Sequence, residues 1–142
     1  MTNSNKIEIN LSSVQKTLFL PVIVRALESK KIKSLLIDLN AIEIVERVNY
    51  DFTKLISSIS ELNRIAWIVR CTCFDRIIKD FIRRYPNATI VNIGFGLDTT
   101  YERVNNRSIL WYDLDLPDVI ELRKLFINKT VNRRFIAASF LD

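Results

Sequence analysis

The sequence contains no histidine, and only two cysteines and two glycines occur among its 142 residues. The absence of histidine excludes histidine-based catalytic triads, histidine general bases and the familiar zinc sites, so no metal is expected. Cys71 and Cys73 are expected to be reduced, buried side chains. The chain has no apolar run of about 18 residues and no N-terminal signal pattern. We therefore expect no membrane span, no signal peptide and a cytoplasmic protein.

The net charge of +5 results from 21 Lys and Arg against 16 Asp and Glu. Nucleic-acid binding would require a concentrated basic stripe with interleaved aromatic residues, or a known module, and the sequence shows neither. Nucleic acid is therefore only a weak alternative partner, and a solvated surface is expected for the basic residues. These are scattered through Lys30, Lys31, Lys33, Arg83, Arg84, Arg133 and Arg134.

Glycine is the most informative residue type here. Average usage of about 7% would give roughly ten glycines, yet both glycines of this chain lie in the segment 93–98. Upstream of that segment the pattern is helical, and downstream it alternates short β-branched runs with polar pieces. We predict a helical region over residues 1–86 and a β-α-β-α-β segment over residues 87–142.

The helical region is predicted to contain three helices. Ser12 and Gln15 have capping-box spacing before an apolar stripe that extends to Leu27, and Pro21 should kink or restart that helix. A second helix is expected at about residues 40–48. Ser58 and Glu61 repeat the capping-box spacing, and apolar residues at three- and four-residue intervals then predict a helix over residues 61–84.

The second segment is predicted to contain three strands, at residues 88–93, 108–113 and 134–139, because short β-branched runs ended by glycine or polar residues are typical of buried strands. A short helix is expected after the first strand. Between the second and third strands, Pro117 lies near the first turn of a predicted helix over residues 117–126. The fold class is therefore α/β.

A strand that ends in Gly94-Phe95-Gly96, followed by a short helix and a second strand that ends in acid, is the plan of a Rossmann-like nucleotide site. The glycines would let the backbone turn sharply and approach a ligand closely. Asp113 or Asp115 would accept hydrogen bonds from ribose hydroxyls. The third glycine of the dinucleotide pattern is missing, which favours a ligand with ribose but no phosphate. A nicotinamide- or nucleotide-binding module is the disfavoured alternative.

The combined strings NIGFGLDTT at residues 92–100 and WYDLDLPDVI at residues 111–120 closely resemble the leucine carboxyl methyltransferase family, especially its bacterial polyketide-type O-methyltransferases. The likeness covers essentially the whole chain from Leu11 onward. It implies a Rossmann-like fold that binds S-adenosyl-L-methionine, preceded by an N-terminal helical cap and truncated after the third strand. The implied reaction moves a methyl group to a carboxylate or hydroxyl oxygen of a small-molecule or carboxylate-bearing acceptor.

The resemblance also implies roles for individual residues. Arg70 matches the arginine that pairs with the methionine carboxylate of the cofactor, and Arg25 is a candidate substrate or cofactor contact. The remaining candidates for cofactor binding are Gly94, Gly96, Asp98, Asp113, Asp115 (preferred over Asp113), Ser139 and Asp142. Alternative interpretations stay open: Arg70 could form an ion pair with Asp75, Asp98 could cap the following helix, and Arg25 could be structural.

No catalytic residue is identifiable, and none is required for a carboxylate acceptor, because alignment and exclusion of water can supply most of the acceleration. The family enzymes are roughly twice as long, and the first strand is central in their sheet. The resemblance therefore implies that this strand is an exposed sheet edge in this chain. Such an edge favours self-association or pairing with a complementing chain. The alternatives to an active methyltransferase are an inactive cofactor-binding remnant and a half-enzyme that needs a second polypeptide.

Overall fold

A computed structural model describes residues 6–9, 13–104 and 107–141. The chain divides into two compact units, Met1–Phe74 and Asp75–Asp142. This division falls within a helix, earlier than the boundary predicted near residue 86, and the predicted domain organisation stays a prediction. The elements in chain order are α1 (Ser13–Ser29), α2 (Leu39–Arg47), α3 (Thr53–Ser57), α4 (Glu61–Arg84), β1 (Thr89–Ile93), α5 (Thr100–Val104), β2 (Leu110–Asp115), α6 (Pro117–Lys124) and β3 (Arg133–Ala137).

The first unit is helical, as predicted. Its core packs Val24, Leu36, Ile59 and Ile68 together, with Trp67 and other half-buried side chains around them. The helix α1 runs through Pro21 without a break, so of the two predicted effects of this proline a restart of the helix is wrong and a kink stays a prediction. Within the described residues, no helix combines the length and apolarity that a bilayer span requires.

Side-chain caps set the starts of α2 and α4. The Asp38 carboxylate accepts a hydrogen bond from the backbone nitrogen of Ala41 at 2.9 Å and so caps α2. At the start of α4 the Ser60 hydroxyl accepts from the backbone nitrogen of Asn63 at 3.2 Å. The predicted capping box from Ser58 is therefore wrong, since the Ser58 hydroxyl donates to the Leu55 carbonyl at the end of α3. The other predicted capping box begins at residue 12, outside the described residues.

The second unit is built on a three-stranded parallel sheet in the order β1-β2-β3. One face, which we call the inner face, carries Ile90 and Trp111 in register and packs them with Ile82 of α4 and Tyr101 of α5. The opposite, outer face carries the alternate residues of each strand. This parallel sheet with intervening helices confirms the α/β, Rossmann-like prediction.

Two of the strand boundaries differ from the prediction in a way that matters for the site. The strand β2 begins at Leu110, whose backbone nitrogen donates to the Ala88 carbonyl at 3.0 Å, and it extends to Asp115, whose carbonyl accepts from Ala138. Asp115 is therefore inside the strand, not in a loop after it. The short α3 was not predicted. Cys71 is half-buried and Cys73 is exposed, so the prediction of two buried thiols is wrong.

Candidate functional site

The turn after β1, residues 93–98, is called the glycine turn here. Gly94 and Gly96 both have left-handed backbones, with φ of 63° and 56°, a conformation that glycine adopts at little cost. The Gly94 nitrogen donates to the Leu114 carbonyl at 2.9 Å, which fixes the turn at the end of β2. A Cβ atom added at Gly94 would meet no atom within 4 Å. The left-handed backbone conformation thus accounts for glycine at this position, and the space that a Cβ atom would occupy is open.

Asp115 contacts the glycine turn directly. Its Oδ2 atom accepts a hydrogen bond from the Gly96 nitrogen at 2.8 Å, and its Oδ1 atom accepts from the Leu116 nitrogen at 2.8 Å. A carboxylate offers about four acceptor positions, so two remain on a side chain that is only half-buried. The carboxylate can therefore hold the turn and accept further hydrogen bonds from a ligand.

Asp113 has a different environment. It is 0% exposed, and its carboxylate accepts from Trp111 Nε1 at 2.8 Å, Arg133 Nε at 2.7 Å and Arg123 Nη2 at 3.2 Å. These contacts place Asp113 in a buried ion-pair network. Of the two acids considered for a ribose, the geometry favours Asp115. Asp113 is buried, and its carboxylate already accepts hydrogen bonds from three side chains.

Arg123 links that network to the glycine turn. Its Nη1 atom donates to the Gly96 carbonyl at 3.1 Å, and its guanidinium lies 4.2 Å from the centre of the Phe95 ring. The side chain is fully buried, and its Nε atom has no hydrogen-bond partner. Burial lowers the pKa of Arg123 to about 10, against the opposing effect of the Asp113 charge. Arg123 therefore helps to position the glycine turn through the Gly96 carbonyl. The spacing of residues in the sequence did not indicate this role.

Arg133 is the second guanidinium of the network. It pairs with Asp113 and with Glu102, and it lies 4.6 Å from the centre of the Tyr101 ring. Because it is buried, the prediction that it belongs to a solvated basic surface is wrong. Its place in register with Trp111, a residue of the inner face, accounts for this burial, and the sequence alone does not show that register.

Asp98 caps α5. Its carboxylate accepts from the Thr100 nitrogen at 3.2 Å and from the Thr100 hydroxyl at 2.9 Å, and Asn92 Nδ2 donates to it at 3.3 Å. These contacts support the capping interpretation, and a cofactor contact by Asp98 stays a prediction. A carboxylate at this position also occupies the helix start where a dinucleotide pyrophosphate would bind.

Arg70 lies exposed on α4 in the first unit. In the portion of the chain that is described it forms neither a hydrogen bond nor an ion pair, so its head group is available. Its alternative partner, Asp75, is held within the second unit by Arg103, whose Nε and Nη2 atoms donate to the carboxylate at 2.6 and 3.0 Å. The ion-pair interpretation of Arg70 is therefore disfavoured.

The other predicted site residues divide into three cases. Arg25 is buried in the first unit, and its Nε atom pairs with Asp38 Oδ2 at 2.9 Å, an arrangement that favours the structural interpretation. Ser139 is half-buried, and its hydroxyl accepts from the Leu141 nitrogen at 3.1 Å. Asp142 lies outside the described residues. No three Cys, Asp or Glu side chains that are described form a cluster able to hold a metal ion.

Comparison with known proteins gives consistent matches. The family model for leucine carboxyl methyltransferase matches residues 19–140. The tetracenomycin polyketide synthesis O-methyltransferase TcmP of Streptomyces glaucescens is 30% identical over 132 residues, which cover 92% of this chain and 48% of that protein. The S-adenosyl-L-methionine-dependent methyltransferase dpfgK of Gibberella zeae is 25% identical over 138 residues, 92% of this chain and 46% of that protein. The chain thus spans about half the length of these curated relatives.

Proposed function

The chain belongs to the leucine carboxyl methyltransferase family, and on that premise we propose that it carries the S-adenosyl-L-methionine site of an O-methyltransferase. The observation that carries the proposal is the glycine turn with Asp115 beneath it. Gly94 leaves open space, and the Asp115 carboxylate bonded to Gly96 keeps free acceptor positions. Ribose hydroxyls are the donors that such a carboxylate accepts.

Each residue has a defined part in this proposal. Asp115 accepts the ribose hydroxyls, and Gly94 and Gly96 let the backbone approach the ligand closely. Arg70 pairs with the carboxylate of the methionine portion, since a guanidinium binds a carboxylate through two parallel hydrogen bonds. Ser139 and Asp142 are proposed as polar contacts to the adenine ring.

The chemistry fits a chain without histidine. S-adenosyl-L-methionine, when bound, supplies an activated methyl group: the bond from its sulfur to the methyl carbon breaks, the acceptor oxygen forms a bond to that carbon, and the electron pair stays on sulfur. A carboxylate acceptor needs no deprotonation, and we propose a small molecule with a carboxylate or hydroxyl as the acceptor. For a carboxylate acceptor, the residues of the chain need only to bind, orient and exclude water. A hydroxyl acceptor must also lose its proton to a base, and no side chain is assigned to that step.

A dinucleotide-binding module is the second candidate, and two observations weigh against it. Leu97, Asp98 and Thr99 stand where a third glycine would follow. The Asp98 carboxylate caps α5 and would repel a phosphate at that position. Titration of the purified chain with nicotinamide dinucleotides separates the candidates, and saturable dinucleotide binding would overturn the methyltransferase proposal.

Activity of this chain by itself is a separate question, because the chain spans half of its relatives' length. We propose a half-enzyme whose open β1 edge pairs with a complementing chain. The alternatives are self-association at that edge and an inactive remnant. A methyl-transfer assay separates these when a polypeptide that corresponds to the unmatched part of the relatives is added in trans. Methyl transfer by the mixture would exclude an inactive remnant. If the two polypeptides assemble and no methyl is transferred, the remnant is supported.

A further inference from the structure

A buried ion pair joins α5 to α4 beside the glycine turn. Arg103 donates from Nε and Nη2 to the two carboxylate oxygens of Asp75 at 2.6 and 3.0 Å, and the two side chains are 7% and 8% exposed. Nη1 donates to the Thr99 hydroxyl at 2.9 Å, and Nη2 also donates to the Thr100 hydroxyl at 3.0 Å. All three nitrogen atoms of this guanidinium are therefore engaged, and its orientation is fixed.

Such a buried pair fixes geometry more than it stabilises the fold. Exchange of a buried ion pair for apolar side chains is often neutral or stabilising, because both charges lose their hydration on burial. A bidentate contact between a guanidinium and a carboxylate, by contrast, fixes the distance and the angle between the two elements that carry it. What the contact of Arg103 with Asp75 determines is therefore the position of α4 relative to the start of α5.

Both of these elements carry parts of the proposed cofactor site. Asp75 follows Arg70 by five residues on one continuous helix, which is about 7.5 Å along the helix axis. Arg103 contacts the two residues that directly follow the glycine turn. Arg70 is proposed to bind the methionine carboxylate, and the turn with Asp115 is proposed to bind the ribose. One ion pair therefore joins the supports of the two ends of the ligand.

We infer that Asp75 and Arg103 are positioning residues for S-adenosyl-L-methionine. They hold the helix that carries Arg70 at the distance from the glycine turn that the cofactor spans between its ribose and its methionine carboxylate. This inference rests on the proposed function and adds two residues that act through Arg70. A purely structural pair would support every ligand of the turn equally, whereas a positioning pair affects only a ligand that reaches both supports. Loss of the pair should therefore weaken recognition of the amino-acid portion and spare the adenosine portion.

The test compares two ligands by calorimetry: S-adenosylhomocysteine, and 5′-methylthioadenosine, which has the adenosine and the sulfur but not the amino-acid portion. Arg103→Lys keeps the charge but loses the bidentate contact. We expect it to weaken S-adenosylhomocysteine binding by about fivefold or more and to change 5′-methylthioadenosine binding by less than about twofold. Asp75→Glu keeps the charge on α4 and should give the same selectivity. The matched control Arg83→Lys changes an exposed arginine that pairs with Asp80 on the same helix, and it should change neither affinity by more than about twofold.

A double-variant cycle tests whether the pair acts through Arg70. In an Arg70→Ala background, Arg103→Lys should change the affinity for S-adenosylhomocysteine by less than about twofold, because the contact that the pair positions is already absent. This cycle decides the question if 5′-methylthioadenosine binds the parent chain too weakly to titrate.

Three results would overturn the inference. The first is that folded Arg103→Lys and Asp75→Glu variants bind both ligands as the parent does, or bind both equally weakly. The second is an undiminished effect of Arg103→Lys in the Arg70→Ala background. The third is that neither variant of the pair folds by circular dichroism, which would make the pair a support of the second unit as a whole. If the parent chain binds neither ligand, the proposed cofactor site itself fails, so the two failures are distinguishable.

Discussion

Replacing Asp113 with asparagine removes the one negative charge that two buried guanidiniums share. Asp113 accepts from Arg123 and Arg133 at 3.2 and 2.7 Å, and all three side chains are essentially inaccessible to water. Removing one partner of a buried ion pair typically costs about 3–5 kcal/mol, because a buried charge is left uncompensated. Glu102 still pairs with Arg133, so we expect the lower end, about 3 kcal/mol. That is a large share of a stability of about 5–15 kcal/mol.

Urea denaturation measures this effect. With an m-value of about 2 kcal/mol/M, the midpoint should fall by about 1.5 M. Trp111 donates to Asp113 and reports on the second unit, so its fluorescence is followed in a Trp67→Phe background. The agreement of this transition with far-UV circular dichroism checks that one transition is being measured.

The matched control is Glu121→Gln, which removes an exposed acid paired with Lys124 on α6. Exposed pairs contribute about 0–1 kcal/mol, so its midpoint should change little. If Asp113→Asn and Glu121→Gln destabilise the chain equally, the buried network does not support the sheet and the glycine turn as argued.

Three further predictions concern the cofactor and pH. Arg70→Ala should weaken S-adenosylhomocysteine binding by about 1.5–3 kcal/mol, measured by calorimetry, and unchanged affinity in a folded variant would contradict its role. Gly96→Val should lose binding, because a β-branched residue is strained at φ of 56° and would obstruct the ligand; parental affinity in a folded variant would exclude the turn as the site. Burial opposes ionisation of Glu28, but hydrogen bonds from Lys31 and the Leu35 nitrogen outweigh it and hold its pKa below the ordinary 4.5. The parent chain should therefore have a larger free energy of unfolding than Glu28→Gln above pH 4.5, and this difference should decline as the pH falls through the lowered pKa. Urea denaturation at several pH values measures the difference, and a difference that does not change with pH would refute the prediction.

The fold was predictable from the sequence because its signals are local. Apolar spacing at three and four residues predicted α4, and a β-branched run ended by glycine predicted β1. The boundaries of β2 were displaced because strand ends are set by ladder partners, such as the Ala88 carbonyl that accepts from Leu110. Such partners come from distant parts of the chain and leave no local signal.

The candidate site was predictable in part. The glycine turn and the acid at the end of β2 were both predicted, and the structure joins them through the hydrogen bond from Gly96 to Asp115. The distinct environments of Asp113 and Asp115 did not follow from the sequence, because they depend on Arg123 and Arg133, which arrive from α6 and β3. Buried charge networks join residues far apart in sequence, and the residue types alone do not identify the pairs.

Calorimetric titration of the purified chain and of its Asp115→Ala variant with S-adenosylhomocysteine tests whether the glycine turn and Asp115 bind the cofactor. We expect saturable one-to-one binding by the parent chain and clearly weaker binding by a variant that is folded by circular dichroism. Absence of binding by a folded parent, or equal affinity of the two proteins, would contradict the claim that the glycine turn and Asp115 form the cofactor site.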